Sequence, residues 1–122
     1  MATDEQLITQ KIDGYARGCQ TGDETYLKGA FHPDARMFGA VGEDRYDIPV
    51  FGGMSAAVAQ QPTVDHTSKI ESIDITGDAA CVKISESGFW GQDFVDYFLL
   101  SRIDGEWQIV SKSFAHLGPT AT

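Results

Sequence analysis

The spacing of apolar residues changes from a helical period to a strand period in the second half of the chain. Apolar residues recur on one helical face over Asp4–Thr21, and this pattern predicts an amphipathic α-helix. Two shorter helices are predicted at Asp23–Phe31 and Phe51–Gln61, with short strands between them at Ala35–Val41 and Arg45–Val50. Helices followed by a run of strands is an order typical of an α+β domain.

The second half of the chain predicts two β-hairpins, of which the first is the less apolar. Thr67–Thr76 and Ala79–Ser87 flank Gly77-Asp78, a favourable two-residue turn. Direct pairing across this turn puts Glu71 opposite Ile84.

The last hairpin has the strongest signal. Phe94–Ile103 and Glu106–Ala115 flank Asp104-Gly105, a turn in which both residues take positive φ. Direct pairing puts Asp96 opposite Ser113. Both faces are substantially apolar, so one can cover the helices while the other needs a partner. The face that needs a partner carries Val95, Leu99, Val110 and Phe114. We therefore predict a homodimer formed through the sheet.

Composition and charge narrow the class of protein. A chain of 122 residues, 42% of them hydrophobic, is predicted to be one domain, residues 1–122, with enough core to fold without a metal or a disulfide. The net charge of −9 argues against nucleic acid as a partner, because phosphate backbones are bound largely through Lys and Arg. No apolar run approaches membrane-spanning length and no signal-peptide pattern is present, so we predict no membrane association and a cytoplasmic location.

Four segments have a sequence that points to a known family. They are Phe31–Ala35, Ile73–Val82, Asp96–Leu100 and Ile103–Val110, the last followed by Lys112 and Phe114. Together they resemble the nuclear transport factor 2-like superfamily, in particular its SnoaL-like and putative lumazine-binding subgroups. The resemblance implies three N-terminal helices on the concave side of a strongly curved, mostly antiparallel sheet, forming a cone-shaped half-barrel with a pocket. It implies no single activity, because the superfamily contains isomerases, dehydratases, cyclases, transport factors and binding domains.

Asp96 is the first candidate for chemistry. It lies in an apolar strand, between Phe94 and Phe98 on one face. If that face lines a pocket, burial raises the pKa of the carboxyl group and suits it to proton transfer. Members of the superfamily that move protons use a pocket carboxyl group in this way. The alternative is a structural carboxylate that accepts hydrogen bonds from Ser113 or from backbone amides.

Strand alternation and helix spacing predict the other residues of the pocket. One wall is formed by Phe94, Asp96, Phe98, Ser111 and Ser113, and the opposite side by Tyr15, Phe38, Phe51 and Met54. His32 is a second catalytic candidate at the pocket mouth, or else a local structural element before Pro33. His66 is expected to be structural. No histidine spacing predicts a metal site.

Two functions of different classes remain open. In the first, the chain binds a small apolar or aromatic metabolite and acts on it without a cofactor by isomerisation, dehydration or cyclisation. The resemblance to lumazine-binding proteins implies a flat heteroaromatic compound as one such ligand. Asp96 would be the base, and Tyr15 or His32 would polarise an oxygen. In the second, the chain is a non-catalytic ligand-binding or dimeric interaction module. An enzyme needs an acid or base within reach of a cavity, whereas an interaction module would have a filled or purely apolar interior.

Overall fold

The computed structural model describes residues 1–121, which form three helices and six strands. The helices are α1 Asp4–Thr21, α2 Glu24–Ala30 and α3 Ser55–Gln60. The strands are β1 Phe31–Val41, β2 Asp44–Pro49, β3 Thr67–Thr76, β4 Ala79–Phe89, β5 Gln92–Ile103 and β6 Glu106–Pro119. Within the described residues, no helix combines the length and the hydropathy needed to cross a membrane.

Local sequence sets the helix boundaries. Thr3 caps α1 through a capping box, in which Thr3 Oγ1 accepts from the Gln6 amide and Gln6 Oε1 accepts from the Thr3 amide. The predicted third helix, Phe51–Gln61, is shorter than expected. Its first part is an irregular turn, Val50–Met54, because Gly52 adopts a φ of 86° that breaks helical geometry.

The six strands form one curved sheet in the order β2-β1-β6-β5-β4-β3. Every neighbouring pair is antiparallel except β1 and β6, which run parallel. The helices cover one face and bury the predicted apolar side of α1 against strand residues such as Phe98, Leu100 and Trp107. The predicted α+β arrangement, three helices on a mostly antiparallel curved sheet, is confirmed.

The last hairpin contains a β-bulge that the sequence analysis missed. Its turn is as predicted, with φ of 51° at Asp104 and 81° at Gly105. Leu100 pairs with Ile109, but Leu99 pairs with Ser111, so Val110 is an extra residue in β6. Because side chains alternate with a period of two, the extra residue turns the following β6 residues to the opposite face.

The bulge corrects several predicted pairings. Asp96 faces Phe114, and the predicted pair with Ser113 is wrong because Ser113 lies opposite Tyr97 on the outer face. Ser111 lies on that outer face as well, opposite Leu99. Lys112 instead points inward and is buried. In the first hairpin a second bulge places Ile70 opposite Ile84, so the predicted partner Glu71 is also wrong.

Candidate functional site

A cavity of about 230 Å³ lies between the sheet and the turn that leads into α3. Most of its lining is apolar or aromatic, and includes Met37, Ile48, Met54, Phe94 and Phe114. Tyr46 and Trp90 also line it and are 37% and 42% exposed, so they mark the side on which the cavity meets solvent. Within the described residues, Glu86 and Lys112 are the only charged side chains of the lining.

Lys112 is brought into the cavity by the bulge at Val110. Its side chain is buried, with Nζ 4.9 Å from the centre of the Tyr15 ring and 5.5 Å from that of Phe114. Burial by itself lowers the pKa of this amine, but the charges of Asp96 and Glu86 outweigh that effect and raise it above the ordinary value. Lys112 is therefore an ammonium group in an aromatic surrounding.

Glu86 lies on the inward face of β4, and two other side chains form hydrogen bonds to its carboxylate. Tyr15 Oη donates to its two carboxylate oxygens at 2.9 and 3.1 Å. His66 Nε2 lies 2.7 Å from Glu86 Oε1. Burial and the nearby Lys112 charge lower the pKa of His66 to about 4, so the ring is neutral at pH 7. Because a carboxylate only accepts hydrogen bonds, the His66 tautomer that pairs with Glu86 carries its proton on Nε2. His66 Nδ1 has no hydrogen-bond partner within the described part of the chain.

Asp96 lies behind the cavity lining, with a side chain that is 0% exposed. As a carboxylate it would have no donor for either oxygen among residues 1–121, and the Lys112 ammonium is 3.9 Å from Oδ2. Burial is the main cause that raises its pKa to about 9, and the nearby Glu86 charge adds to the shift. Asp96 is therefore a neutral carboxylic acid at pH 7.

Two more groups complete the surroundings. Burial and the Glu86 charge raise the pKa of Tyr15 well above its ordinary value, so its phenol keeps its proton. Burial raises the pKa of the Cys19 thiol to about 12, so it is un-ionised as well. We call Tyr15, His66, Glu86, Asp96 and Lys112 the buried polar cluster. Within the cluster, Lys112 is an ammonium group, and Glu86 is the carboxylate that accepts hydrogen bonds from Tyr15 and His66.

The structure brings four of the predicted site residues to the cavity or the cluster. Met54 and Phe94 line the cavity. Tyr15 and Asp96 belong to the buried polar cluster behind it.

The other predicted site residues lie elsewhere. Phe98 packs in the core against Tyr15, and Phe51 packs against Phe31. Phe38 is 39% exposed, because it alternates with Met37 and faces the outer side of β1. Ser111 and Ser113 are on the outer face of the sheet, where the bulge places them. His32 is the second residue of β1, and its Nδ1 accepts a hydrogen bond from the Asp34 amide at 3.0 Å.

Three members of the cluster were missed as site residues from sequence. Glu86 could have been found, because it continues the inward alternation of Val82 and Ile84 along β4. Lys112 had no such signal, since its face depends on the bulge. His66 gave none either, because its partner Glu86 is twenty residues away in sequence. No three His, Cys, Asp or Glu side chains of residues 1–121 converge as a set of metal ligands.

Comparisons with known proteins agree with the fold. Residues 3–115 match the model of the family described as "Putative lumazine-binding". Aldolase FrzH from Cladobotryum sp is 30% identical over 103 residues, which are 82% of this chain and 81% of that protein. A nuclear transport factor 2-like protein of unknown function from Methylobacillus flagellatus KT superposes with a TM-score of 0.84 at 30% identity, covering 95% of this chain and 94% of that one.

A second solved structure gives the same result. A nuclear transport factor 2-like protein of unknown function from Shewanella baltica OS155 has a TM-score of 0.82 at 28% identity, covering 95% of this chain and 98% of that one. The family match and the two superpositions each span nearly the whole described fold. The chain belongs to the Putative lumazine-binding family, within the nuclear transport factor 2-like superfamily.

Proposed function

We propose that the chain binds a small, flat carbonyl compound and catalyses proton transfer at the carbon next to the carbonyl group, without a cofactor. The observation that carries this proposal is the pairing of Glu86 with Lys112 in the lining of an otherwise apolar cavity. A carboxylate can remove a proton from carbon, and an ammonium group stabilises the oxyanion that this removal creates. An apolar surrounding strengthens both effects.

The proposed step balances with the groups in place. Glu86 takes a proton from the carbon, the electron pair moves into the carbon–carbon bond of an enolate, and the negative charge settles on oxygen beside Lys112. Tyr15 and His66 fix the Glu86 carboxylate through their hydrogen bonds. Return of the proton to a different carbon gives isomerisation. Attack of the enolate on a second carbonyl group forms the aldol carbon–carbon bond, and the resulting alkoxide takes the proton from Glu86.

Asp96 takes a different role from the base expected on sequence grounds. It does not line the cavity, and a carboxyl group with a pKa of about 9 is protonated at pH 7. We assign Asp96 as a neutral acid outside the cavity lining, which helps to hold Glu86 and Lys112 in position. The base that touches substrate is Glu86.

Cavity size and one relative support the substrate class. A cavity of about 150 Å³ holds a benzene molecule, so the cavity of about 230 Å³ suits a fused bicyclic ring. One relative, at 30% identity, is named an aldolase, and aldol chemistry passes through an enolate or an enamine. A flat bicyclic ligand is also compatible with the family description.

Deuterium exchange tests the proposal directly. The probe is 2-acetylnaphthalene, a bicyclic ketone whose acetyl protons exchange slowly in neutral D₂O without a catalyst. We expect the protein to accelerate loss of the acetyl proton signal in ¹H NMR, and Glu86→Gln to slow it by about 100-fold or more. Glu43→Gln, in the exposed β1–β2 turn, is the matched control and should exchange like the wild type.

The alternative functions give different results. Saturable binding of the ketone without exchange would indicate a non-catalytic ligand-binding module. Absence of binding would overturn both the pocket ligand and the reaction.

A further inference from the structure

We infer that the cavity selects uncharged carbonyl compounds and rejects anionic compounds of the same shape, because its single cation is already balanced by a single carboxylate. This inference names the substrate class of the site and rests on the proposed function. It concerns binding alone, so it can fail or hold independently of catalysis.

The Lys112 ammonium has free hydrogen-bonding capacity. Its one hydrogen bond within residues 1–121 is a weak one to Met54 Sδ at 3.9 Å. The Asp96 oxygen, also at 3.9 Å, is beyond ordinary hydrogen-bond distance. An ammonium has three N–H donors, and a side chain only 5% exposed cannot satisfy them with bulk water. A ligand oxygen that enters the cavity can therefore accept a hydrogen bond from Lys112.

The net charge of the cluster determines whether the cavity binds a neutral carbonyl oxygen or an anionic carboxylate oxygen. Asp96 and His66 are neutral at pH 7, so Lys112 and Glu86 cancel each other. The described lining holds no second cation that could balance a ligand carboxylate. A permanently anionic ligand would leave an excess negative charge in an apolar cavity, which is strongly unfavourable. The net charge of −9 further opposes the approach of anions.

A neutral carbonyl compound keeps the balance throughout the proposed reaction. When the neutral compound binds, the net charge of the site remains zero. When Glu86 takes the proton it becomes neutral, and the new negative charge on the enolate oxygen pairs with Lys112. Enolate formation inside the cavity therefore creates no excess charge. This lowers the activation barrier for proton transfer in an apolar site.

Two nearly isosteric ligands test the inference. 2-Acetylnaphthalene and 2-naphthoate share one ring system and differ by a methyl group in place of a carboxylate oxygen. Isothermal titration calorimetry at pH 7 should show the ketone binding to the wild-type protein at least about tenfold more tightly than the carboxylate. Equal affinity, tighter binding of 2-naphthoate, or no binding of the ketone would overturn the inference.

A variant that lacks both carboxyl groups of the site provides a second test. Glu86→Gln combined with Asp96→Asn removes both carboxyl groups and leaves Lys112 as the only charge in the site, so we expect the preference to reverse toward 2-naphthoate. Because Asp96 is already neutral at pH 7, the double variant changes the net charge by one unit. Glu43→Gln alone makes the same change of charge at an exposed position and should keep the wild-type preference. A folded double variant that still prefers the ketone tenfold would contradict the argument. If that variant does not fold, the wild-type comparison decides alone.

Discussion

Replacing Asp96 by Asn should make the protein more stable at neutral and alkaline pH. The Asp96 side chain is fully buried, and the folded protein keeps its carboxyl group protonated. The unfolded chain instead releases that proton above the ordinary pKa of 3.8. Folding at pH 7 must therefore take up a proton that the solution supplies only at a free-energy cost. Asn has nearly the same shape, carries an N–H donor in place of the carboxylic O–H, and needs no proton.

The size and sign of the effect follow from the shifted pKa values. Between pH 3.8 and about 9, folded Asp96 binds one proton more than unfolded Asp96, so the free energy of unfolding falls by about 1.4 kcal/mol per pH unit as pH rises. His66 opposes this below pH 6.5, because its folded pKa of about 4 makes the unfolded state the one that binds more protons. From pH 6.5 to 8.5 the Asp96 effect is unopposed and amounts to about 2–3 kcal/mol.

Urea denaturation at pH 6.5, 7.5 and 8.5 measures this slope. We expect the wild type to lose stability across the series. Asp96→Asn should remain nearly flat and should exceed the wild type by roughly 4–5 kcal/mol at pH 7.5. Asp74→Asn, on the exposed side of β3, controls for loss of a carboxylate and should follow the wild-type slope. A wild type whose stability is constant or rises over this range, or an Asp96→Asn protein less stable than wild type at pH 7.5, would refute the reasoning.

Three further predictions concern other residues. Lys112→Met should slow deuterium exchange into 2-acetylnaphthalene by about 100-fold or more. Lys83 lies over the Tyr97 ring on the outer face, so Lys83→Met should exchange like the wild type. Equal exchange rates for Lys112→Met and the wild type would contradict the role of the ammonium group. At pH 8 a thiol reagent should modify half-buried Cys81 rapidly and Cys19 only at the rate of unfolding, since burial raises the pKa of Cys19 to about 12; equally fast labelling of both would be inconsistent with this environment. The homodimer stays a prediction: sedimentation should give twice 13.3 kDa, with Leu99→Glu shifting the protein to monomer, and a wild-type monomer at micromolar concentration would exclude it.

The fold could be predicted because its signals are local. The turn Asp104-Gly105 fixes the last hairpin through the positive φ that both residues adopt. The apolar stripe of α1 and the cap at Thr3 mark the first helix in the same direct way. The boundary of the third helix was missed, because Gly52 ends helical geometry inside a segment whose apolar spacing looks helical.

The site could be predicted only in part because its members meet through the tertiary structure. The positions of Tyr15, Phe94 and Asp96 could be predicted from helix spacing and strand alternation, because those periods hold over α1 and β5. Met54 also reaches the cavity, but it lies in the irregular turn before α3, where helical spacing does not hold. The predicted face of Ser111 and Ser113 is wrong, because direct strand alternation does not allow for the extra residue at Val110. A bulge in mid-strand has no composition signal comparable to an Asp-Gly turn, so the face of each later β6 residue could not be fixed from sequence.

That single extra residue sets the chemistry of the site as well as its geometry. With direct pairing, Asp96 would face Ser113, whose hydroxyl could donate to a carboxylate and favour its ionised form. With the bulge, Asp96 faces the Phe114 ring and no donor of the described chain reaches its oxygens. The same shift carries Lys112 from the outer face into the cavity. The bulge thus replaces an ionised, hydroxyl-bonded aspartate with a neutral acid beside an ammonium group, and it leaves Glu86 as the carboxylate that lines the cavity.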